Sequence, residues 1–182
     1  SMIQLLQRAI VMGIPLLYGA TGETLTEKSG HLNLGIPGIM YVGAICGVIG
    51  SFFYETGVGE ANMIPALAIL IPVVCSLLGS LLMGLIYSFL TVTLRANQNV
   101  TGLALTTLGT GIGNFFGGSL IKISGSEVPS IALTGTSLIF RTTLPFGDAD
   151  NWFLQIFLSH GFLAYLAVLI ALIVAVVLRK NR

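Results

Sequence analysis

Long apolar stretches separated by short polar connections dominate this sequence. Residues 61–94 contain no Asp, Glu, Lys, Arg or His, and comparable stretches cover residues 9–20, 34–54, 96–121 and 151–178. A hydrocarbon core of about 30 Å is crossed by roughly 20 apolar residues in a helix. Backbone in lipid must satisfy its own hydrogen bonds, which leaves α-helices or a closed β-barrel. Barrel strands alternate apolar and polar residues, and these unbroken apolar stretches do not. The pattern predicts an all-α integral membrane protein, a polytopic bundle of about five to six membrane segments.

Composition strengthens this prediction. Hydrophobic residues make up 54% of the 182 residues and charged residues only 8%, with a formal net charge of +1. Soluble globular domains have about a quarter charged residues, so the composition excludes an ordinary soluble domain.

The positions of the few charges predict the orientation. Arg95 follows the third stretch, and three basic residues follow the last one. Because short cytoplasmic loops are enriched in Lys and Arg, we expect Arg95 and the C-terminus inside and residues 122–150 outside. Arg8 also indicates an inside N-terminus. The first stretch would then end outside, whereas the second stretch has to start inside.

Residues 21–37 have to resolve that conflict. The stretch TGETLTEKSGHLNLGIP is too polar for a simple span. Non-helical backbone is tolerated at membrane depth where protein or a wet cavity surrounds it. We therefore expect a broken or re-entrant segment near residues 21–37, with a return crossing. The alternative is an outside N-terminus followed by an ordinary cytoplasmic loop.

Small residues recur at four-residue spacing in two of the stretches. The second contains Gly43 and Gly47, and the fourth contains Gly109, Gly113 and Gly117. Such spacing forms a helix face that allows close packing, so we expect these glycines at helix contacts. Asn114 lies in the same Gly-rich stretch. An amide in lipid either bonds a neighbouring helix, for about 0.6 kcal/mol, or lines a solute path.

The sequence offers little catalytic chemistry. Its densest ionisable group outside the apolar stretches is Glu23, Glu27, Lys28 and His31. An enzyme using Glu27 and His31 would need a further catalytic partner, which the sequence does not supply. Zinc-binding spacing, a phosphate-binding loop and a Ser/His/Asp set are also missing from it. We expect no enzymatic activity, no metal and no cofactor.

Two sequence blocks resemble a known family. The first, residues 22–40, reads GETxxEKSGxLNLGxxGxM, and the second, residues 95–102, reads RANQxVTG. With the closing basic helix they are similar to permease subunits of bacterial ABC importers, in the superfamily of branched-chain amino acid, ribose and nucleoside permeases. They are most similar to the nucleoside-type branch, and the resemblance covers nearly the whole chain. It implies part of a path for a small polar solute, nucleoside or sugar-like, across the bacterial cytoplasmic membrane.

The resemblance also implies partners and a longer chain. A second homologous permease would complete the path, a cytoplasmic ATP-binding subunit would hydrolyse ATP, and an extracytoplasmic substrate-binding protein would deliver the solute. Membrane lipid would surround the bundle, and no nucleic-acid partner is expected. In such permeases a loop that docks on the ATPase follows a helix much like the last apolar stretch. Residues 1–182 are therefore expected to be a single transmembrane domain from the N-terminal part of a longer permease.

Polar side chains in or beside the apolar stretches are the candidates for the solute path. They are Asn33, Asn114, Glu23, Asn99, Thr101 and Thr106. The resemblance gives none of them an established contact with substrate. Asn99 is also predicted to cap the fourth helix. The alternative function is a passive channel or a helical membrane scaffold protein, in which any flux would persist without ATP.

Overall fold

The computed structural model describes residues 2–124, 133–141 and 152–180, and those ranges are almost wholly helical. The α-helices in them are α1 (Met2–Lys28), α2 (Ile36–Val58), α3 (Pro65–Ser88), α4 (Gln98–Ser124), α5 (Thr134–Phe140), α6 (Trp152–Phe157) and α7 (Phe162–Lys180). A 3₁₀ turn, Glu60–Asn62, precedes α3, and a π-helical turn, Phe89–Thr93, extends it. The predicted all-α fold is confirmed.

Four of these helical segments are long and apolar enough to cross a membrane: Met2–Lys28, Ile36–Val58, Pro65–Thr93 and Phe162–Lys180. Helix α4 has 27 residues, a length of about 40 Å, but it is less apolar and is not one of these four segments. It runs beside α2 over several turns, as described below, and its crossing of the membrane stays a prediction from the sequence. The chain is a multi-pass helical membrane protein.

The chain divides into two compact units, which are described separately. One comprises Gly30–Ile139 and contains α2, α3, α4 and nearly all of α5. The other comprises Ser1–Ser29 and Phe140–Arg182 and contains α1, α6 and α7.

In the first unit α2 packs between α3 and α4. Gly43 lies opposite Ser80 and Gly47 lies opposite Pro72, so α2 and α3 are antiparallel. Gly38 lies against Leu105, and further along both helices Ile45 lies against Gly117, so α2 and α4 are parallel. Side chains from all three helices, Val42, Met83, Tyr87 and Leu105, form the buried core of this unit.

In the second unit α1 and α7 run in the same direction. Near the start of α1, Gln7 Nε2 donates to the Gln155 carbonyl of α6 at 2.8 Å. Further along, Tyr18 Oη donates to the Leu163 carbonyl at 2.7 Å. The last turns of α1 and α7 meet at a crevice lined by Lys28 and Arg179. Since both basic helix ends belong to one side, the predicted cytoplasmic C-terminus would place the N-terminus outside, against the placement suggested by Arg8. The side that each end faces stays a prediction.

The predicted break near residues 21–37 is present but shorter than expected. Residues 21–28 continue α1, and only residues 29–35 are non-helical. Thr21 and Thr24 donate their hydroxyls to the carbonyls four residues earlier, so these polar residues remain compatible with the helix. Seven extended residues reach about 24 Å, less than the hydrocarbon core, so residues 29–35 do not form the predicted return crossing.

The last apolar stretch, residues 151–178, is not one helix. Helix α6 ends at Phe157 and α7 begins at Phe162. Between them the Ser159 hydroxyl donates to the Gln155 carbonyl, and the His160 ring bonds the Ile156 carbonyl at 2.8 Å. Gly161 lies against the Phe140 carbonyl, where a Cβ would approach to about 2.5 Å. These contacts satisfy polar groups at the interruption.

Candidate functional site

The two sequence blocks that carried the family resemblance meet in space. Leu32 N donates to Gln98 Oε1 at 2.8 Å, which joins the first block to the second. Tyr87 Oη, near the end of α3, donates to the Leu32 carbonyl at 2.6 Å. Thr106 Oγ1 of α4 donates to the Leu34 carbonyl at 2.9 Å. Residues 29–35 are thus fixed to the end of α3 and the start of α4.

Asn33 is the buried polar residue of this connection, with 6% of its surface exposed. Its Oδ1 accepts a hydrogen bond from Gly35 N at 2.9 Å, immediately before α2 begins. Such a local bond supports the chain where it turns into a helix. The geometry gives Asn33 a positioning role at the entrance to α2.

Glycines let α2 and α4 approach closely. A Cβ at Gly109 would lie about 2.5 Å from the Gly38 carbonyl oxygen, and one at Gly38 would overlap the Leu105 carbonyl. Gly113 leaves room for the Tyr41 ring. Contacts of this kind, backbone against backbone, are available only to residues without a side chain.

A polar stripe, Thr106, Thr110 and Asn114, follows α4 at four-residue spacing beside this contact. Thr110 and Asn114 are exposed and Thr106 is half-buried. Thr110 Oγ1 donates to the Thr106 carbonyl at 2.7 Å. The Tyr41 hydroxyl of α2 donates to Asn114 Oδ1 at 3.0 Å, so Asn114 makes the interhelical bond that the sequence left open.

The stripe keeps hydrogen-bonding capacity free for a ligand. Among the residues the structure describes, the Asn114 amide nitrogen has no protein partner, and the Tyr41 hydroxyl has lone pairs left to accept. Both side chains are exposed. Exposed polar groups on a membrane-spanning helix are expected to face a protein interior or a water-filled path.

The other predicted residues lie in different settings. Thr101 is buried in the first turn of α4, beside Leu105. Asn99 is exposed and does not cap α4: Asn97 Oδ1 accepts from Val100 N at 3.1 Å, so the cap lies two residues earlier. Glu23 is half-buried on α1, in the other unit. The structure therefore brings Asn33, Thr106 and Asn114 to one contact between α2 and α4, and leaves Asn99 outside it.

Sequence reasoning missed Tyr41 and Thr110. The four-residue spacing of Thr106, Thr110 and Asn114 was available as a signal for Thr110. Tyr41 is 73 residues away from its partner Asn114, and its role depends on how the helices pair.

Glu55 was also missed as a structural residue. Its buried carboxylate, at the end of α2, accepts from Thr136 Oγ1 at 2.8 Å and from the backbone N–H groups of Gly135 and Thr136 at 3.2 Å. These three bonds hold the first turn of α5 against α2. Within the described ranges, no cluster of three or more His, Cys, Asp or Glu side chains could hold a metal ion.

The fold and this contact define a multi-pass membrane protein with polar side chains along one face of a spanning helix. Residues 5–182 match the family described as the permease component of branched-chain amino acid transport systems. The chain belongs to this family, whose members are transport components and not enzymes.

Similar proteins include three ABC transporter permeases. A putative glucose ABC transporter permease of Haloferax volcanii is 32% identical over 132 residues, which cover 70% of this chain and 35% of that protein. A guanosine ABC transporter permease of Bacillus subtilis is 31% identical over 102 residues, 56% of this chain and 30% of that protein. A nucleoside ABC transporter permease of Lactococcus lactis is 32% identical over 106 residues, 58% of this chain and 32% of that protein. The chain thus spans about a third of the length of these relatives, and no solved structure is significantly similar to it.

Proposed function

We propose that this chain is part of the transmembrane subunit of an ABC importer and forms part of the path for a small polar solute across the bacterial cytoplasmic membrane. The observation that carries the proposal is the polar stripe on α4, Thr106, Thr110 and Asn114, together with Tyr41. Asn114 and Tyr41 are exposed, and the Asn114 amide nitrogen has no hydrogen-bond partner among the described residues. In a membrane an unpartnered amide requires water, solute or another polar group.

The chemistry of the stripe suits a solute rich in hydroxyls. The hydroxyls of Tyr41, Thr106 and Thr110 already donate within the protein and can accept further hydrogen bonds, whereas the Asn114 amide nitrogen can donate. A sugar or a nucleoside presents the same mixture of donors and acceptors. The names of the relatives, which specify glucose, guanosine and nucleosides, support this class of solute.

The proposal includes three protein partners. A cytoplasmic ATP-binding subunit would supply energy, an extracytoplasmic substrate-binding protein would deliver the solute, and a second homologous permease would complete the path. ATP hydrolysis on the ATP-binding subunit can move these helices only if the contacts between the subunits differ between two states of the assembly. Within the chain we assign the solute path to the polar stripe and Tyr41, and helix positioning to Asn33 and Thr101. Glu23 and Asn99 remain predictions.

Thr110 of α4 and Thr56 of α2 provide a matched test. Both are exposed, and each hydroxyl donates to the carbonyl four residues earlier, at 2.7 Å and 2.6 Å. Thr110 belongs to the polar stripe, whereas Thr56 lies in the last turn of α2, about four turns beyond Tyr41. Thr110→Val should lower ATP-dependent uptake by roughly fivefold to tenfold, the loss expected for one solute hydrogen bond.

The measurement is uptake of radiolabelled nucleoside or glucose by proteoliposomes that contain the complete transporter. Thr56→Val should leave the rate within twofold, and Asn114→Leu should reduce it at least as much as Thr110→Val. Equal rates for the Thr110 and Thr56 variants at equal protein levels would contradict the assignment. Flux that continues unchanged without ATP would favour the passive channel.

A further inference from the structure

The C-terminal ends of α1 and α7 line a crevice of about 410 Å³. Its lining residues are Thr24 and Lys28 of α1 and Ala175, Leu178 and Arg179 of α7. Both cations are exposed. Within the described part of the chain, neither side chain has an ion pair or hydrogen bond. Two like charges thus line one small crevice whose lining residues include no acidic side chain.

Helix ends explain part of this arrangement. Lys28 and Arg179 occupy the last turns of their helices, where a cation interacts favourably with the negative end of the helix dipole. That interaction accounts for each charge separately. It does not account for both charges lining one crevice, where they raise each other's energy and attract an anion.

The walls of the crevice indicate which anion. The side of α7 that continues away from the cations is apolar, with Leu178 and Ala175 lining the crevice and exposed Leu172 and Val176 on the same helix. A ligand that fits has one anionic group beside a hydrocarbon chain. Basic crevices between spanning helices at the cytoplasmic surface have this character, and anionic phospholipids supply both parts.

We propose that Lys28 and Arg179 bind the phosphate of an anionic phospholipid, with an acyl chain along α7. Arg179 offers a planar fork that matches two phosphate oxygens, and Lys28 offers a compact charge from the facing helix. When the lipid occupies the crevice, its phosphate neutralises the two cations and joins the ends of α1 and α7. The site does not depend on the proposed transport function.

The test is native mass spectrometry of the purified chain in detergent, with phosphatidylglycerol and phosphatidylcholine of identical acyl chains. We expect more phosphatidylglycerol bound than phosphatidylcholine. Lys28→Gln and Arg179→Gln should each reduce phosphatidylglycerol binding about fivefold, because one basic residue near an anionic lipid contributes about 1 kcal/mol. Arg179→Lys, which keeps the charge, should retain most of the binding.

Lys180→Gln is the matched control, since Lys180 is the next residue, carries the same charge and does not line the crevice. It should change binding by less than twofold. An equal loss with Lys180→Gln would overturn the proposal in favour of diffuse charge attraction. Equal binding of the two lipids would also overturn it, as expected if the crevice serves an acidic protein segment. Displacement of the lipid by millimolar inorganic phosphate would overturn the lipid as occupant.

Unchanged melting temperatures without lipid show that the variants are folded.

Discussion

At the scale of single residues, glycine determines how closely α2 and α4 approach. Gly109 and Gly38 face each other with backbone against backbone, and their neighbours Leu105 and Tyr41 fill the space on either side. Interhelical dispersion contacts are individually small, so this arrangement stabilises the pair only because many atoms approach together. A side chain at the contact would push the helices apart and break the hydrogen bond between Tyr41 and Asn114.

Gly109→Ala tests this contact. The added Cβ would lie about 2.5 Å from the Gly38 carbonyl oxygen, and we expect unfolding in detergent to become easier by about 1–3 kcal/mol. Gly111→Ala is the control, because nothing lies within 4 Å of a Cβ there. It should be neutral or stabilise the helix by roughly 0.5–1 kcal/mol. If both variants unfold alike in a denaturant titration, the close contact is not important for stability.

The structure revises one asparagine prediction and adds a contact to another. A polar cap was predicted at the start of α4, yet the capping oxygen belongs to Asn97 and not to Asn99. The sequence Asn-Gln-Asn offers two equivalent amides, and only the helix start decides between them. Asn114 was predicted either to bond another helix or to line a path. Its bond to Tyr41 leaves its amide nitrogen available, so the two roles are compatible.

At the scale of elements, Glu55 connects α5 to α2. The Glu55 carboxylate is 9% exposed and accepts all three hydrogen bonds from Gly135 and Thr136. An acceptor with two oxygens suits two backbone donors and a hydroxyl, and charged acceptors form the stronger bonds. We therefore expect α5 to depend on this side chain.

Glu55→Gln replaces one acceptor oxygen by an amide N–H₂ that faces donors. The variant should lose about 1–3 kcal/mol of stability, and amide hydrogens of residues 134–140 should exchange faster. The control is Glu60→Gln, an exposed residue in the 3₁₀ turn, for which we expect a change within about 0.5 kcal/mol. Unaltered exchange in α5 with Glu55→Gln would show that other contacts hold this helix.

The helices themselves were largely predictable because lipid leaves few alternatives for apolar backbone. Two boundaries were not. Polar residues 21–28 were judged incompatible with a span, but their hydroxyls bond within α1 and the helix continues. Residues 158–161 interrupt an apolar stretch because Gly161 meets the Phe140 carbonyl, a contact between residues far apart in sequence. The hydrophobic pattern predicts which segments can lie in lipid, but it does not predict which residues contact each other in the folded chain.

At the scale of the whole molecule, the topology stays a prediction from the charges. In one unit α1 and α7 are parallel and end in Lys28, Arg179 and Lys180. In the other unit α3 leads to Arg95, and α4 starts on the same side as α2. Because short cytoplasmic loops are enriched in Lys and Arg, we propose that these basic ends are cytoplasmic, which would place the N-terminus outside.

The central claim is that the polar stripe of α4 faces an aqueous path within a membrane-embedded importer. The most direct test is thiol accessibility in the assembled transporter, with Cys46 and Cys75 first replaced by alanine. Single cysteines at positions 106 to 116 are exposed to a water-soluble, membrane-impermeant maleimide from either side. We predict labelling at positions 106, 110 and 114, slowed by solute, and little labelling at 108 and 115, which lie on the opposite side of the helix. Uniform labelling, or labelling confined to the latter positions, would contradict the account.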